Sequence, residues 1–147
     1  MGWGPQCNEV RSVIIVDSSV WIDYFNGVPT WQTDLLDNYL SNVPIVIGDL
    51  ILTEVLQGFK SNKDSETAKT FLSALPFRQM GGYNVAIQSA QNYRLLRKAG
   101  VTVRKTIDII IATYCIMGGL TLLHDDRDFD PIASHFSLKT IFNVNQP

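Results

Sequence analysis

The stretch "SVIIVDSSVWIDYF" (12–25) decides the fold, because an apolar run, an acid and an amphipathic pattern follow one another in it. Residues 12–16 are mostly β-branched and predict a short buried strand. After Asp17, apolar residues recur at helical spacing as far as Phe25, which predicts a helix. Asp17 is therefore expected at the carboxyl end of a strand, where an open parallel sheet has its ligand crevice.

The same two patterns alternate along the rest of the chain. Further strands are predicted at 43–48, 77–80, 120–124 and 138–142. Further helices are predicted at 30–42, 49–59, 61–75, 84–100, 106–119 and 129–136. Short apolar strands separated by helices are typical of a mostly parallel sheet with helices on both faces. The expected fold class is α/β, a three-layer α/β/α sandwich around a sheet of about five strands.

Length and composition favour one domain. The chain has 147 residues, and we expect a single domain at 12–147 after a loose N-terminal arm at 1–11. The net charge of −2 does not by itself indicate a nucleic-acid binder. Cys7 and Cys115 match no zinc or redox spacing, and Cys115 is expected in the core. Without a secretory or membrane-spanning segment, the expected location is cytoplasmic, with no membrane contact.

Four acids are expected at the carboxyl edge of the sheet. Asp126 follows the fourth predicted strand, Asp108 opens the most apolar helix, and Glu54 lies in the helix after the second strand. Each acid has an ordinary alternative explanation: a helix cap for Asp17, a dipole-favoured position for Asp108, and an exposed position for Glu54. Their convergence is harder to explain in this way, because neighbouring carboxylates repel unless a cation neutralises them. An all-oxygen site suits Mg²⁺ or Mn²⁺ better than zinc.

Four stretches of the chain resemble the motifs of the PIN-domain ribonucleases, and among them the VapC-type toxins of toxin–antitoxin pairs. They are "VIIVDSSVWIDYF" (13–25), "LTEVLQG" (52–58), "TIDIIIATYCI" (106–116) and "LLHDDRDFDPIA" (122–133), in the family's order and spacing. The first and last are fairly specific, whereas the second is weaker by itself. The resemblance implies that the four catalytic, metal-binding acids of the family fall on Asp17, Glu54, Asp108 and Asp126, with Ser19 as a hydrogen-bonding helper.

The resemblance also implies a PIN-like fold and an activity. The expected function is a Mg²⁺- or Mn²⁺-dependent endoribonuclease, the toxin of a toxin–antitoxin pair, which cleaves RNA phosphodiesters with a metal-activated water. The implied partners are an RNA substrate, a cognate protein antitoxin and a second copy in a homodimer. Two alternatives remain: a housekeeping PIN-domain RNA-processing nuclease, and a non-catalytic PIN-like module that binds RNA or protein.

Two other classes of α/β protein fit the sequence less well. A haloacid-dehalogenase-type phosphatase needs a second acid two residues after Asp17, where the chain has Ser19. A receiver-type signalling module needs an acid at the end of a central strand, and the strand predicted at 43–48 ends without one.

The acidic stretch "DDRDFD" (125–130) needs to be divided among several roles. A calcium-binding loop that started at Asp126 would need Gly and Glu at its sixth and twelfth positions, where Pro131 and Ser137 stand. Asp128 is therefore kept as an auxiliary metal ligand beside Asp126. The remaining two acids are expected to be bystanders, Asp125 in a solvated turn and Asp130 as a cap of the following helix.

Two further groups of residues are candidates for substrate and partner contacts. The basic candidates for contact with RNA phosphates are Arg104 and Lys105, near Asp108, and a helical cluster of Arg94, Arg97 and Lys98. The ordinary preference of cations for the end of a helix also explains the helical cluster. An aromatic stripe on the first helix has the spacing of a core face, and the resemblance implies that part of it receives an antitoxin segment: Trp21, Tyr24 and Phe25.

Overall fold

The computed structural model describes residues 13–143, so the arm expected at 1–11 lies outside the described residues. All five predicted strands and seven predicted helices are present, some of them shorter than expected. The strands are β1 (Ile14–Val16), β2 (Ile45–Gly48), β3 (Phe77–Arg78), β4 (Thr121–Leu123) and β5 (Lys139–Thr140). The helices are α1 (Ser18–Phe25), α2 (Trp31–Asn42), α3 (Asp49–Gln57), α4 (Asn62–Leu72), α5 (Tyr83–Lys98), α6 (Thr106–Gly118) and α7 (Asp130–His135). A 3-10 turn at Arg127–Phe129 precedes α7.

The five strands form one parallel sheet in the order β3-β2-β1-β4-β5. The central strand β1 pairs on one side with β2 and on the other with β4, so that Ile14 lies between Ile45 and Thr121. The chain builds outward from β1 to β3 on one side and then from β4 to β5 on the other. The order of strands therefore reverses between β1 and β4, and this is where an open α/β sheet places its ligand. The predicted fold class is confirmed.

Burial of the strands explains why their sequences are continuously apolar. Ile15, Val16, Leu122 and Leu123 are fully buried, because helices cover both faces of the sheet. The most apolar helix, α6, buries residues on several sides. Cys115 is one of them, as predicted, and burial raises the pKa of its thiol to about 12, so it stays protonated and unreactive.

The cap predicted at Asp130 is wrong by one residue, and Asp49 also lies one residue inside its helix. Gly48 caps α3, and Asp49 is the first helical residue. Its Oδ1 instead accepts a hydrogen bond from the backbone N–H of Met80 (2.9 Å), which ties the end of β3 to α3. Asp130 is likewise the first residue of α7 and makes no side-chain cap. Gly48 has the extended backbone that is typical of a cap, whereas Phe129, which precedes α7, ends the 3-10 turn and has a helical backbone.

No transmembrane helix is formed by residues 13–143, since each helix there is too short or too polar to cross a bilayer.

Candidate functional site

Four acids from four separate segments meet at the carboxyl edge of the sheet. Asp17 directly follows β1, Asp126 lies in the turn after β4, Glu54 lies in α3, and Asp108 lies in the first turn of α6. The negative charges of Asp17, Asp126 and Glu54 all raise the pKa of Asp108. The structure therefore brings together the four acids that the sequence singles out; their catalytic and metal-binding roles stay a prediction.

Asp17 is held in place by the start of α1. It caps this helix, and its Oδ2 accepts hydrogen bonds from the backbone N–H of Ser19 (3.1 Å) and from the Ser19 hydroxyl (2.7 Å). Burial raises the pKa of this carboxyl, the two Ser19 bonds lower it, and the charge of Asp126 raises it further. Asp17 can therefore cap α1 and belong to the acidic site at the same time, because the cap uses only its Oδ2.

Ser19 also connects the two strands at the switch point. Its hydroxyl accepts a hydrogen bond from the backbone N–H of Asp125 (3.1 Å) while it donates to Asp17. The turn after β4 is therefore tied to the end of β1. This geometry supports the helper role predicted for Ser19, which remains a prediction.

Asp108 is the least satisfied acid of the group. The residue is 2% exposed, and its Oδ2 has no hydrogen-bond partner among the described residues. Burial raises its pKa to about 7, with the charge of Asp17 the next cause, while the nearby cation of Lys105 lowers it. A carboxyl in this state binds a proton or a cation readily, because either one removes the cost of an isolated buried charge.

Glu54 approaches the site from α3 and is half-buried. The Ser18 hydroxyl donates a hydrogen bond to its Oε1 (3.1 Å). Burial and the charge of Asp17 raise the pKa of Glu54, and the Ser18 bond lowers it. Sequence reasoning missed Ser18, because its contact with Glu54 joins residues that are 36 positions apart in the chain.

The carboxylates that best fit a metal ion are those of Asp108, Asp126 and Asp128. One oxygen from each lies within 4.8 Å of the other two. Asp126 is fixed by the 3-10 turn that it caps, because the backbone N–H of Asp128, the second residue of the turn, donates to its Oδ1 (2.9 Å). The donor set is all oxygen, and Oδ2 of Asp108 has no partner in the described part of the chain, so these residues fit a hard divalent cation of the Mg²⁺ or Mn²⁺ kind.

The candidate RNA-binding cations separate into two groups. Arg104 donates a charged hydrogen bond to Asp128 (2.7 Å), and Lys105 is close enough to lower the pKa values of Asp108 and Glu54. The helical cluster lies on α5, where the guanidinium of Arg97 sits 5.7 Å from the ring centroid of Tyr93. Among residues 13–143 the structure records no contact between this cluster and the four acids.

Sequence reasoning also missed His124, which precedes Asp126 by two residues. Its Nδ1 accepts a hydrogen bond from the backbone N–H of Asp126 (3.2 Å), so the neutral ring carries its proton on Nε2. The ring contacts Phe129, with 5.0 Å between centroids. The place of His124 in the motif at 122–133, two residues before Asp126, could have pointed to a role at the site. Periodicity could not, because it places no constraint on such a loop residue.

The aromatic residues of α1 form a cluster with Phe59 and Phe71. Trp21 is fully buried and packs against both Tyr24 and Phe25. The burial of Trp21 favours a core role for its ring, and its contact with an antitoxin remains a prediction. Tyr24 and Phe25 are half-buried, and their role in antitoxin binding remains a prediction.

Comparison with known proteins agrees with this geometry. A model of the PIN domain matches residues 14–134. VapC ribonuclease Mb1587 from Mycobacterium bovis and Ribonuclease VapC11 from Mycobacterium tuberculosis are each 30% identical to the chain over 123 residues, covering 82% of this chain and 92% of theirs.

Solved structures share the fold at lower identity. VapBC2 from Rickettsia felis, crystallised with a DNA fragment from its promoter, matches with a TM-score of 0.70 and 17% identity over 88% of this chain and 97% of its own. DNA-bound VapBC from Salmonella typhimurium matches with a TM-score of 0.69 and 18% identity over the same shares, 88% and 97%. The family match and the two close relatives assign the chain: it belongs to the PIN domain family and, within it, to the VapC ribonucleases.

Proposed function

We propose that this protein is a metal-dependent endoribonuclease, the toxin of a toxin–antitoxin pair, which cleaves RNA at the carboxyl edge of its sheet. The observation that carries the proposal is Oδ2 of Asp108, which has no hydrogen-bond partner among residues 13–143 and is buried among three other acids. An unpaired buried charge destabilises a fold, so such a group is not explained by stability. Membership of the VapC ribonucleases supports the class of reaction and of substrate.

The residues that would hold the cation are Asp108, Asp126 and Asp128, with Asp17 and Glu54 beside them. A divalent cation bound there would lower the pKa of a water molecule and offset negative charge on the phosphodiester. The chain itself supplies orientation: Ser19 holds Asp17, Ser18 holds Glu54, and the 3-10 turn holds Asp126. With its pKa near 7, Asp108 would release a proton when the cation binds.

Contacts to RNA phosphates fall first to Arg104 and Lys105. The Arg104 side chain is 76% exposed and, among the described residues, uses one nitrogen, Nη2, for Asp128, so its other N–H groups could bind a phosphate oxygen. Arg94, Arg97 and Lys98 would contribute longer-range attraction, because they make no contact with the acids in the described part of the chain.

Protein partners would use other surfaces. The solved structures of similar fold are VapBC complexes, which supports a protein antitoxin as partner. The surface for it would be the exposed side of the aromatic cluster, where Phe71 is 39% exposed beside Tyr24 and Phe25. A homodimer stays part of the proposal, and the exposed Ile87 and Leu95 on α5 offer apolar surface for it. A ribonuclease that acts on cellular RNA would work in the cytoplasm.

The test is RNA cleavage by the purified, antitoxin-free chain with added Mg²⁺ or Mn²⁺. We expect Asp126→Asn to lower the rate by roughly 1000-fold, because it removes a charged ligand from the cation. Asp64→Asn, the same chemical change at an exposed position of α4, should cleave like the wild type.

Failure has two distinguishable forms. If the wild type cleaves no RNA with either metal, the proposed function is wrong. If Asp126→Asn cleaves as fast as the wild type, the nuclease stands but its centre lies elsewhere.

A further inference from the structure

A cavity of about 600 Å³ opens beside the acidic site and shares Asp126 with it. We call it the edge cavity; its walls are the start of α2 with Trp31 and Gln32, the turn after β4 with His124 and Arg127, and the segment after β5 with Phe142. Its volume lies within the range of small-molecule binding sites. We propose that the edge cavity holds one unpaired base of the RNA substrate, next to the phosphodiester that is cleaved. This inference rests on the proposed ribonuclease function.

Two aromatic side chains make the cavity suited to a base. Phe142 is 79% exposed, so the face of its ring is open to a planar group. Trp31, the first residue of α2, is half-buried and lines the cavity. Unpaired bases bind proteins largely by stacking on such rings, whichever base they are.

Charge argues for the base and against the phosphate as the occupant. Among residues 13–143, three carboxylates line the cavity, Asp125, Asp126 and Asp130, against one cationic side chain, that of Arg127. A phosphate would be repelled by this excess of negative charge. A neutral base would not, and its amino groups would find acceptors in the carboxylates.

Gln32 supplies a polar edge that can select among bases. Its residue is 6% exposed, yet its only side-chain hydrogen bond to the described residues runs from Nε2 to the backbone oxygen of His124 at 3.5 Å, the limit of such a bond. The amide oxygen and one N–H thus stay available on the cavity wall. A side-chain amide pairs with the donor and acceptor groups of a base edge, and a well-placed pair discriminates between bases.

Binding is tested with a short, fluorescein-labelled, single-stranded RNA of randomised sequence and the full chain in metal-free buffer. Fluorescence anisotropy should show that Phe142→Ala weakens binding roughly 10-fold through lost stacking. Tyr83→Ala is the matched control, because Tyr83 is 80% exposed, like Phe142, but does not line the cavity. It should bind like the wild type. Since Phe142 is exposed, neither change threatens the fold.

Base selection is tested by sequencing the products of the same RNA pool after cleavage with Mg²⁺ or Mn²⁺. The wild type should favour a base with amino groups at one position beside the cut, and Gln32→Leu should flatten that preference while the protein keeps its melting temperature. If Phe142→Ala binds the RNA as tightly as the wild type does, the inference is wrong, and the Phe142 ring becomes a candidate contact for a protein.

The outcomes separate this inference from the proposed function. If the wild type cleaves RNA, and if Phe142→Ala and Gln32→Leu leave RNA affinity and base preference unchanged, the inference about the edge cavity is wrong and the proposed function stands. Weakened RNA binding by Phe142→Ala without any cleavage by the wild type supports the cavity and overturns the ribonuclease. Neither binding nor cleavage by the wild type overturns both.

Discussion

The two ends of helix α1 have opposite effects on the stability of the protein: one destabilises the fold and the other stabilises it. Its first turn faces the acidic site, where Asp17 is 2% exposed. The charge of Asp126 raises the pKa of Asp17, and the charges of Asp17 and Asp126 both raise the pKa of Asp108. Its later turns carry Trp21, Tyr24 and Phe25 into a cluster of aromatic rings. One helix of eight residues thus joins a region of crowded charge to a region of apolar packing.

The difference shows that the aromatic rings stabilise the fold, whereas the crowded carboxylates destabilise it. Removing a carboxyl charge from the acidic site relieves repulsion, so it should stabilise the metal-free protein. Removing a ring from the aromatic cluster leaves a cavity, so it should destabilise. The same kind of experiment, chemical denaturation, should therefore give effects of opposite sign at the two ends of α1.

Trp21→Ala should have the largest effect. The residue is fully buried, with its ring stacked 5.8 Å from that of Phe25, so we expect a loss of about 3–5 kcal/mol in the free energy of unfolding. Urea denaturation measures it. Trp21→Phe should cost much less, because the indole Nε1 has no hydrogen-bond partner to lose in the described part of the chain. A loss below about 1 kcal/mol for Trp21→Ala would contradict the assigned packing.

Asp108→Asn should raise stability, and the gain should depend on pH. The folded-state pKa of about 7 is above the ordinary value of 3.8, so between these values the folded protein holds a proton that the unfolded chain has released. Stability that this proton provides is therefore present at low pH and lost as pH rises through about 7. Above that pH the amide, which carries no charge, should be more stable than the wild type by about 1–3 kcal/mol.

The pH series and added metal test that explanation. The difference between Asp108→Asn and wild type should disappear below the ordinary carboxyl pKa, where both side chains are neutral. Mg²⁺ should raise the melting temperature of the wild type more than that of Asp108→Asn, because a ligand that binds only the folded state stabilises it. A drop of more than about 2 kcal/mol in the variant would instead indicate that Asp108 accepts a structural hydrogen bond.

Tyr24→Phe should have the smallest effect. The Tyr24 hydroxyl donates to Asp37 Oδ1 at 3.1 Å, an exposed bond that joins α1 to α2. We expect its loss to cost about 0.5 kcal/mol in the free energy of unfolding, since water replaces an exposed partner at little cost. Asp37→Asn, which keeps an acceptor oxygen, should cost less still. A loss above about 1.5 kcal/mol would mean that hydrogen bonding matters as much as ring packing at this end of α1.

The strands and the positions of the acids could be predicted because they depend on local pattern and on one general rule. The apolar runs before Asp17 and Asp126 predict buried strands, and carboxyl ends of parallel strands meet at one edge. The contacts that hold the acids could not be predicted in this way. Ser18 reaches Glu54 across 36 positions and Ser19 reaches the backbone of Asp125 across 106, and no periodicity connects such pairs.

The burial of Trp21 shows the same limit from another side. Helical spacing identifies an apolar face, but a core face and a partner-binding face have the same spacing. Only the tertiary packing shows how far each ring is buried: Trp21 lies inside, whereas Tyr24 and Phe25 are half-buried.

What the sequence determined by itself is therefore the class of fold, the edge of the sheet that carries the acids, and the residue types that suit a hard cation. What only the tertiary structure decided is which carboxylates approach one another and how far each is buried. It also decided that α2, the turn after β4 and the segment after β5 enclose a cavity beside Asp126. The physical reason is range: strand and helix patterns arise from neighbours in sequence, whereas charge coupling and cavities depend on segments that meet only in the folded chain.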